Sequence, residues 1–289
     1  MLFAARGPRA GGRCVKPTVT LNQGLDVPRL GLGMWQIPDG DAESVVGTAL
    51  EAGYRGIDTA TSYRNERGVG AAVAASGIAR DEIVVTTKLW NSDHGTDEAL
   101  RAFDASLERL GMDRVDIYLI HWPLPLRDRY LETWRVLEKL HAEGRIRAIG
   151  VSNFTAGQLR RLMDCCDIIP AVNQVELHPG FQQAQLREFH AAHGIATQAW
   201  SPLGSGQGLL DLPVLGEIGR AHGRSPAQVV IRWHLQLGNL VIPRSSAATR
   251  IKENFDVFDF SLDEHEMARI TSLDTGQRRG PDPDTFDYG

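Results

Sequence analysis

Eight short runs of strand-forming residues recur along the chain with helical patterns between them, and this alternation most narrows the folds open to it. The runs are Gly31 to Gly33, Gly56 to Asp58, Ile83 to Lys88, Val115 to Ile120, Ile146 to Ser152, Ala171 to Glu176, Ala196 to Trp200 and Leu240 to Ile242. Helical spacing occupies Asp41 to Ala52, Asp97 to Leu110, Tyr130 to Glu143, Thr155 to Met163 and Gln183 to His193, with Leu100, Phe103, Leu107 and Leu110 as one example of the period. Ahead of the first run, Thr18 to Leu21 and Val27 to Leu30 flank Asn22-Gln23-Gly24, a hairpin signal. No Pro/Ser-rich linker or composition break divides the units, and the first βα turn lacks Gly-x-Gly-x-x-Gly. A closed (β/α)8 TIM barrel is therefore expected rather than an open doubly wound sheet, with an N-terminal β-hairpin and residues 18–289 as a single domain. A chain of 289 residues, 42% of them apolar, is long enough to fill one such core.

Charge and cysteine usage exclude several function classes. A net charge of −5 without a long Lys/Arg stripe argues against nucleic acid or anionic lipid as the main partner, and no apolar run is long enough to span a bilayer. Cys14, Cys165 and Cys166 have neither disulfide-framework nor metal-ligand spacing, so a reducing, cytoplasmic setting and no metal are expected. Residues 1–17 carry Arg6, Arg9, Arg13 and Lys16, with no serine and no apolar core of a signal peptide; they read as a disordered extension.

Asp58, Lys88 and His121 stand at the carboxyl ends of expected strands, and Tyr63 lies in the loop after Asp58, so a barrel would gather all four on its active face. Any one of them alone reads equally as a cap, a rim aromatic, a solvated charge or a satisfied polar residue. Together they form a proton-transfer device. A carbonyl that gains hydride becomes an alkoxide and needs an acid; the Lys88 ammonium would draw down the pKa of Tyr63, Asp58 would hold Lys88 charged, and neutral His121 would orient and polarise the carbonyl oxygen.

These residues lie in segments that resemble the aldo-keto reductase family: Gly56-Ile-Asp58-Thr-Ala with Tyr63, Thr87-Lys88-Leu-Trp90, and Leu119-Ile-His121-Trp-Pro123. The resemblance runs from about Thr18 onward, and it implies that Asp58, Tyr63, Lys88 and His121 form the catalytic tetrad with Tyr63 as general acid. Gly150-Val-Ser152-Asn153-Phe, Asn173-Gln174-Val-Glu-Leu-His178-Pro and Ala199-Trp200-Ser201-Pro-Leu203-Gly follow in the family's order. By resemblance, Ser152, Asn153 and Gln174 hydrogen-bond the nicotinamide carboxamide and Trp200 stacks on its ring, with Ser201 and Leu203 in the same cofactor-binding set.

After the eighth strand, Ile242-Pro-Arg244-Ser245-Ser246 leads into a short helix with Arg250, Glu253 and Asn254. That is where a barrel places a phosphate, and the two arginines with Ser245 suit the 2′-phosphate of NADPH better than the bare ribose of NADH. Asn254, four residues past Arg250, would share its helix face and read adenine. The family usually has lysine at Arg244; arginine keeps the charge but grips phosphate differently.

Trp35 and Trp90 are read as lining the substrate pocket beside His121, while Trp122 either joins them or packs in the core. The tail from Arg278 to Tyr288 has loop composition and would fold over the barrel mouth as a C-terminal substrate loop. Lys88-Leu-Trp-Asn-Ser-Asp-His-Gly95 and the Gly280 to Phe286 tail resemble the bacterial subgroup that includes 2,5-diketo-gluconate reductases, implying a small-molecule carbonyl substrate such as an aldehyde, dicarbonyl or keto-sugar acid, and a monomer. Two rival classes remain: a barrel that retains NADP as a sensor, which a broken tetrad would betray, and a metal-dependent hydrolase with His121, His178 and Asp58 as ligands, which metal content would separate.

Overall fold

The computed structural model describes residues 15–288; the expected extension over 1–17 falls almost wholly outside them. Two short strands, β1 (Thr18–Thr20) and β2 (Asp26–Pro28), pair antiparallel as the hairpin. Eight parallel strands follow: β3 (Leu32–Gly33), β4 (Gly56–Asp58), β5 (Val84–Leu89), β6 (Val115–Ile120), β7 (Ile146–Ser152), β8 (Val172–Glu176), β9 (Ala196–Trp200) and β10 (Leu240–Val241). Each pairs with the next in sequence. Parallel bridges Leu30 to Val241 and Gly33 to Arg244 then join the first strand to the last, so the sheet closes into a (β/α)8 barrel.

The central strands carry the sequence signature of parallel sheet. Every residue of β5 and of β6 is buried, as required when helices cover the outer face and side chains fill the inside. Leu21, Leu25 and Val27 of the hairpin region pack with Val84, Ile117, Leu119, Ala148 and Val172, plugging the N-terminal end of the barrel. The opposite, C-terminal end stays available for function.

Helices α1 (Asp39–Glu51), α2 (Glu66–Ala75), α3 (Thr96–Leu110), α4 (Tyr130–Ala142), α5 (Ala156–Cys165) and α6 (Ala184–Ala192) fill the first six crossovers. Two in succession, α7 (Pro213–His222) and α8 (Pro226–Gln236), precede β10, and α9 (Ala248–Phe255) and α10 (Glu264–Thr271) follow it. Local chemistry fixes several ends: Thr155 caps α5 and Ser225 caps α8, each in a reciprocal box with a glutamine three residues on. The sequence pattern had placed Thr155 inside its helix; its extended backbone makes it the cap instead.

Helices α2, α7, α8 and α10 lie outside the expected set. In α2 the reason is physical: its face against α3 is built from small residues, so the periodic large side chains that betray a helix are missing. A Cβ at Gly70 would stand 2.0 Å from the Leu110 carbonyl oxygen, which shows how closely the two helices approach. Among the described residues no helix is long and apolar enough to cross a membrane.

Candidate active site

The C-terminal rim is set by strand register. Asp58 ends β4, Lys88 is the penultimate residue of β5, and His121 follows the last residue of β6. A single 3-10 turn, Thr61–Tyr63, returns Tyr63 over the end of β4, and Arg64 closes that turn with a left-handed backbone. All four expected tetrad residues therefore meet at one end of the barrel.

Lys88 Nζ lies at their centre. It donates to Asp58 Oδ1 at 2.5 Å and to the Thr59 carbonyl at 2.8 Å, and sits 3.5 Å from Tyr63 Oη. Both members of the ion pair are buried. Burial works against the charge on Lys88, but Asp58 and Tyr63 together outweigh it and hold the ammonium above its ordinary pKa. The Asp58 carboxylate accepts a further bond, from Gln174 Nε2 at 2.6 Å.

Tyr63 departs from the simple expectation. Burial pushes its phenol up and is the larger influence, Lys88 pulls it down and Asp58 pushes it up again, so the net direction is upward. The phenol is therefore protonated at neutral pH, and Lys88 acts by limiting the cost of losing that proton. His121 is driven well below its ordinary value, first by burial and then by Lys88, and stays neutral. Its ring stands edge-on to Tyr63 with centroids 5.7 Å apart, and edge-on to Trp90 at 5.2 Å.

Beside this centre Ser152, Asn153, Gln174 and Trp200 form one polar network. Trp200 Nε1 donates to Asn153 Oδ1 at 2.8 Å, Asn153 Nδ2 donates to the His121 carbonyl at 3.0 Å and to Ser152 Oγ at 3.1 Å, and Ser152 Oγ donates to the Gln174 carbonyl at 2.8 Å. Gln174 Nε2 also donates to Gln198 Oε1 at 2.8 Å, so both its hydrogens are used and its own carbonyl oxygen is the group able to accept from a carboxamide. Asn153 and Ser201, each just past the end of its strand, adopt positive φ.

Arg244 and Arg250 are exposed on either side of buried Ser245, whose hydroxyl reaches the Ala247 carbonyl at 3.4 Å. Asn254 is buried and Glu253 partly so, whereas Arg250 is exposed; the helix does not present Arg250 and Asn254 equally to solvent. Ser201 is partly buried near the start of the loop after β9, and Leu203 packs against the core. The donor set suits a dinucleotide: planar amide and hydroxyl groups beside the tetrad, two cations and a serine at the far end.

Trp35 is 48% exposed on the loop after β3, Trp90 is partly buried, and Trp122 is buried with its ring 4.3 Å from Phe286 of the tail. The structure thus sets Trp122 against the tail rather than among barrel strands. Asp58 and His178 are each engaged elsewhere, and among the described residues no group of three His, Cys, Asp or Glu side chains is placed to hold a metal.

Four supporting residues escaped the sequence reading. Asn65, fully buried, donates to the Met34 and Ile37 carbonyls, both at 2.8 Å, and accepts from Thr59 at 2.5 Å, tying the Tyr63 turn to the Trp35 loop. Glu66 accepts from Thr87 and Arg109, each at 2.6 Å, behind Lys88. Gln198 accepts from Gln174, and Glu176 accepts from the Arg279 backbone of the tail. Asn65 and Glu66 directly follow the Tyr63 segment, and Glu176 lies inside one of the quoted motifs, so adjacency was the available signal.

A family model described as Aldo/keto reductase family matches residues 29–275. An aldo-keto reductase of Mycolicibacterium smegmatis is 54% identical, the alignment covering 95% of this chain and 99% of that protein. A methylglyoxal reductase DkgA of Yersinia pestis is 50% identical, with 94% and 98% covered. Among solved structures, a mutant of Gox0644 in complex with NADPH is 46% identical with a TM-score of 0.90, covering 94% of this chain and 98% of that one.

Proposed function

Because the chain belongs to the aldo/keto reductase family, we propose that it reduces aldehydes, dicarbonyls or keto-sugar acids to alcohols with NADPH, using Tyr63 as general acid. The observation that carries this reading is the position of Lys88 Nζ between Asp58 at 2.5 Å and Tyr63 Oη at 3.5 Å. Bound NADPH supplies the hydride. When NADPH is bound, Gln174, Asn153 and Ser152 would orient its carboxamide end, Trp200 would flank the ring, and Arg244, Ser245 and Arg250 would take the 2′-phosphate.

Neutral His121 donates toward the carbonyl oxygen and fixes its direction, as its depressed pKa allows. As negative charge gathers on that oxygen, Tyr63 Oη delivers its proton, and Lys88 stabilises the phenolate left behind. Asp58 keeps Lys88 charged throughout. Trp35 and Trp90 form aromatic walls for the substrate. The same reading takes residues 18–289 as one catalytic barrel, monomeric and cytoplasmic.

NADPH oxidation with methylglyoxal, the substrate named in the Yersinia relative, tests it. The unaltered protein should turn over, and Tyr63→Phe should lose about a thousandfold in kcat with NADPH affinity kept within about twofold. Tight NADPH binding without turnover in the unaltered protein would favour the sensor reading, and turnover preserved in Tyr63→Phe would remove Tyr63 as the acid.

A further inference from the structure

Glu176 ends β8 fully buried, and the tetrad and the cofactor set proposed above make no use of it. A buried carboxylate is costly unless it is hydrogen-bonded, and here the partners come from the far end of the chain. The backbone N–H of Arg279 donates to Oε1 at 2.7 Å and that of Gly280 to Oε2 at 2.8 Å, while His178 Nε2 lies 3.1 Å from Oε1. Both oxygens thus bind consecutive amides of a segment with no helix or strand of its own.

The seat has a second side. Glu176 is the register partner of Trp200 on β9, and a Cβ at Gly280 would lie 2.5 Å from Trp200 Cη2 and 3.0 Å from Glu176 Oε2. Only a residue without a side chain fits between the carboxylate and the indole edge. Beyond this point the tail crosses the mouth: Gln158 donates to Asp284 at 3.1 Å, Phe286 covers Trp122, and Asn91 donates to the Tyr288 carbonyl. Trp122 adjoins His121 in sequence, so the path from Glu176 ends beside the carbonyl-orienting residue.

We propose that Glu176 is a positioning residue for substrate selection, whose carboxylate seats the tail at Arg279 and Gly280 so that Phe286 and Trp122 close one wall of the carbonyl pocket. This rests on the reductase reading for its kinetic consequence, but not for its structural one. Small carbonyls depend on that wall, because they have little other surface to bury; bulky aromatic aldehydes reach the remaining aromatic walls without it.

The test compares methylglyoxal with benzaldehyde in Glu176→Gln, in Gly280→Ala and in the double variant, all as full-length protein. Each single variant should lower the kcat/KM ratio of methylglyoxal to benzaldehyde about tenfold, chiefly through the methylglyoxal KM, the scale of one charge-assisted hydrogen bond. The double variant should fall no further than the larger single effect, since both changes empty the same seat. Amide hydrogen exchange should show the 279–280 amides protected in the unaltered protein and released in Glu176→Gln, a readout that needs no turnover and so separates this proposal from the reductase reading. Multiplying effects, unchanged exchange, or a ratio unmoved by either change would overturn it. Should Glu176→Gln fail to fold, Gly280→Ala alone, altered outside every helix and strand, decides through the same ratio and exchange.

Discussion

Lys88 has no exposed side-chain surface, and its ammonium is tolerable inside the protein because Asp58 lies 2.5 Å away. Removing one member of such a pair strands the other charge, whereas replacing both by apolar or neutral groups often costs little. Asp58→Asn should therefore lower the unfolding free energy by about 3 kcal/mol, and Asp58→Asn combined with Lys88→Met should recover most of that loss in urea unfolding while turnover stays abolished. Equal destabilisation in the single and double variants would contradict a charge-pair origin. These residues were readable beforehand because each sits at a strand end, where a barrel exposes what it uses. For Asn65 and Glu176 adjacency to the family motifs is the one signal; their roles lie in partners 28 and 31, or 103 and 104, positions away, which no local pattern specifies.

The 3-10 turn that carries Tyr63 has no capping side-chain bond of its own. Its placement depends on Asn65, which bridges it to the loop after β3 through two carbonyls and a hydroxyl. Asn65→Asp keeps the size but removes the amide donor, taking the Ile37 carbonyl's side-chain partner and leaving the Met34 carbonyl only the Ile37 N–H, so stability should fall by about 2 kcal/mol. With Tyr63 displaced from Lys88, the proposed acid role predicts that kcat at saturating NADPH drops about tenfold to a hundredfold, while NADPH affinity changes little. A variant that loses stability yet keeps kcat would show that the turn holds itself. Elements with large periodic side chains, such as α3 and α4, were legible nearly to their ends. Even the two-residue strands β3 and β10 were placed to within one residue, whereas the glycine-bearing α2 was missed, because close approach rather than local propensity defines it.

Across the described residues, three buried histidines besides His121 are held neutral. Burial is the leading cause in each, taking His94 and His190 to about 4 and His234 to about 3. In the unfolded chain these rings take up protons near 6.5, so between that value and about 4 the unfolded state binds more protons than the folded one. The histidines should thus leave stability level between about pH 7 and 9 and lower it as the pH drops from 6.5 to 4, each contributing about 3 kcal/mol across its window. Denaturant unfolding over a pH series checks it; a curve that stays level down to pH 4 would mean the rings are protonated in the native state.

Barrel closure also sets a timetable for synthesis. Leu30 and Gly33 find their partners in Val241 and Arg244, almost the full length of the domain later. While the ribosome is still making the middle strands, the growing sheet carries one unpaired border at β3 and another that advances with each new strand, both able to recruit a stranger's backbone. The hairpin plug can cover the barrel floor early, but nothing seals the side until β10 emerges. A chain that ends before Leu240 therefore keeps both borders open, and β10 is the strand that latches them together.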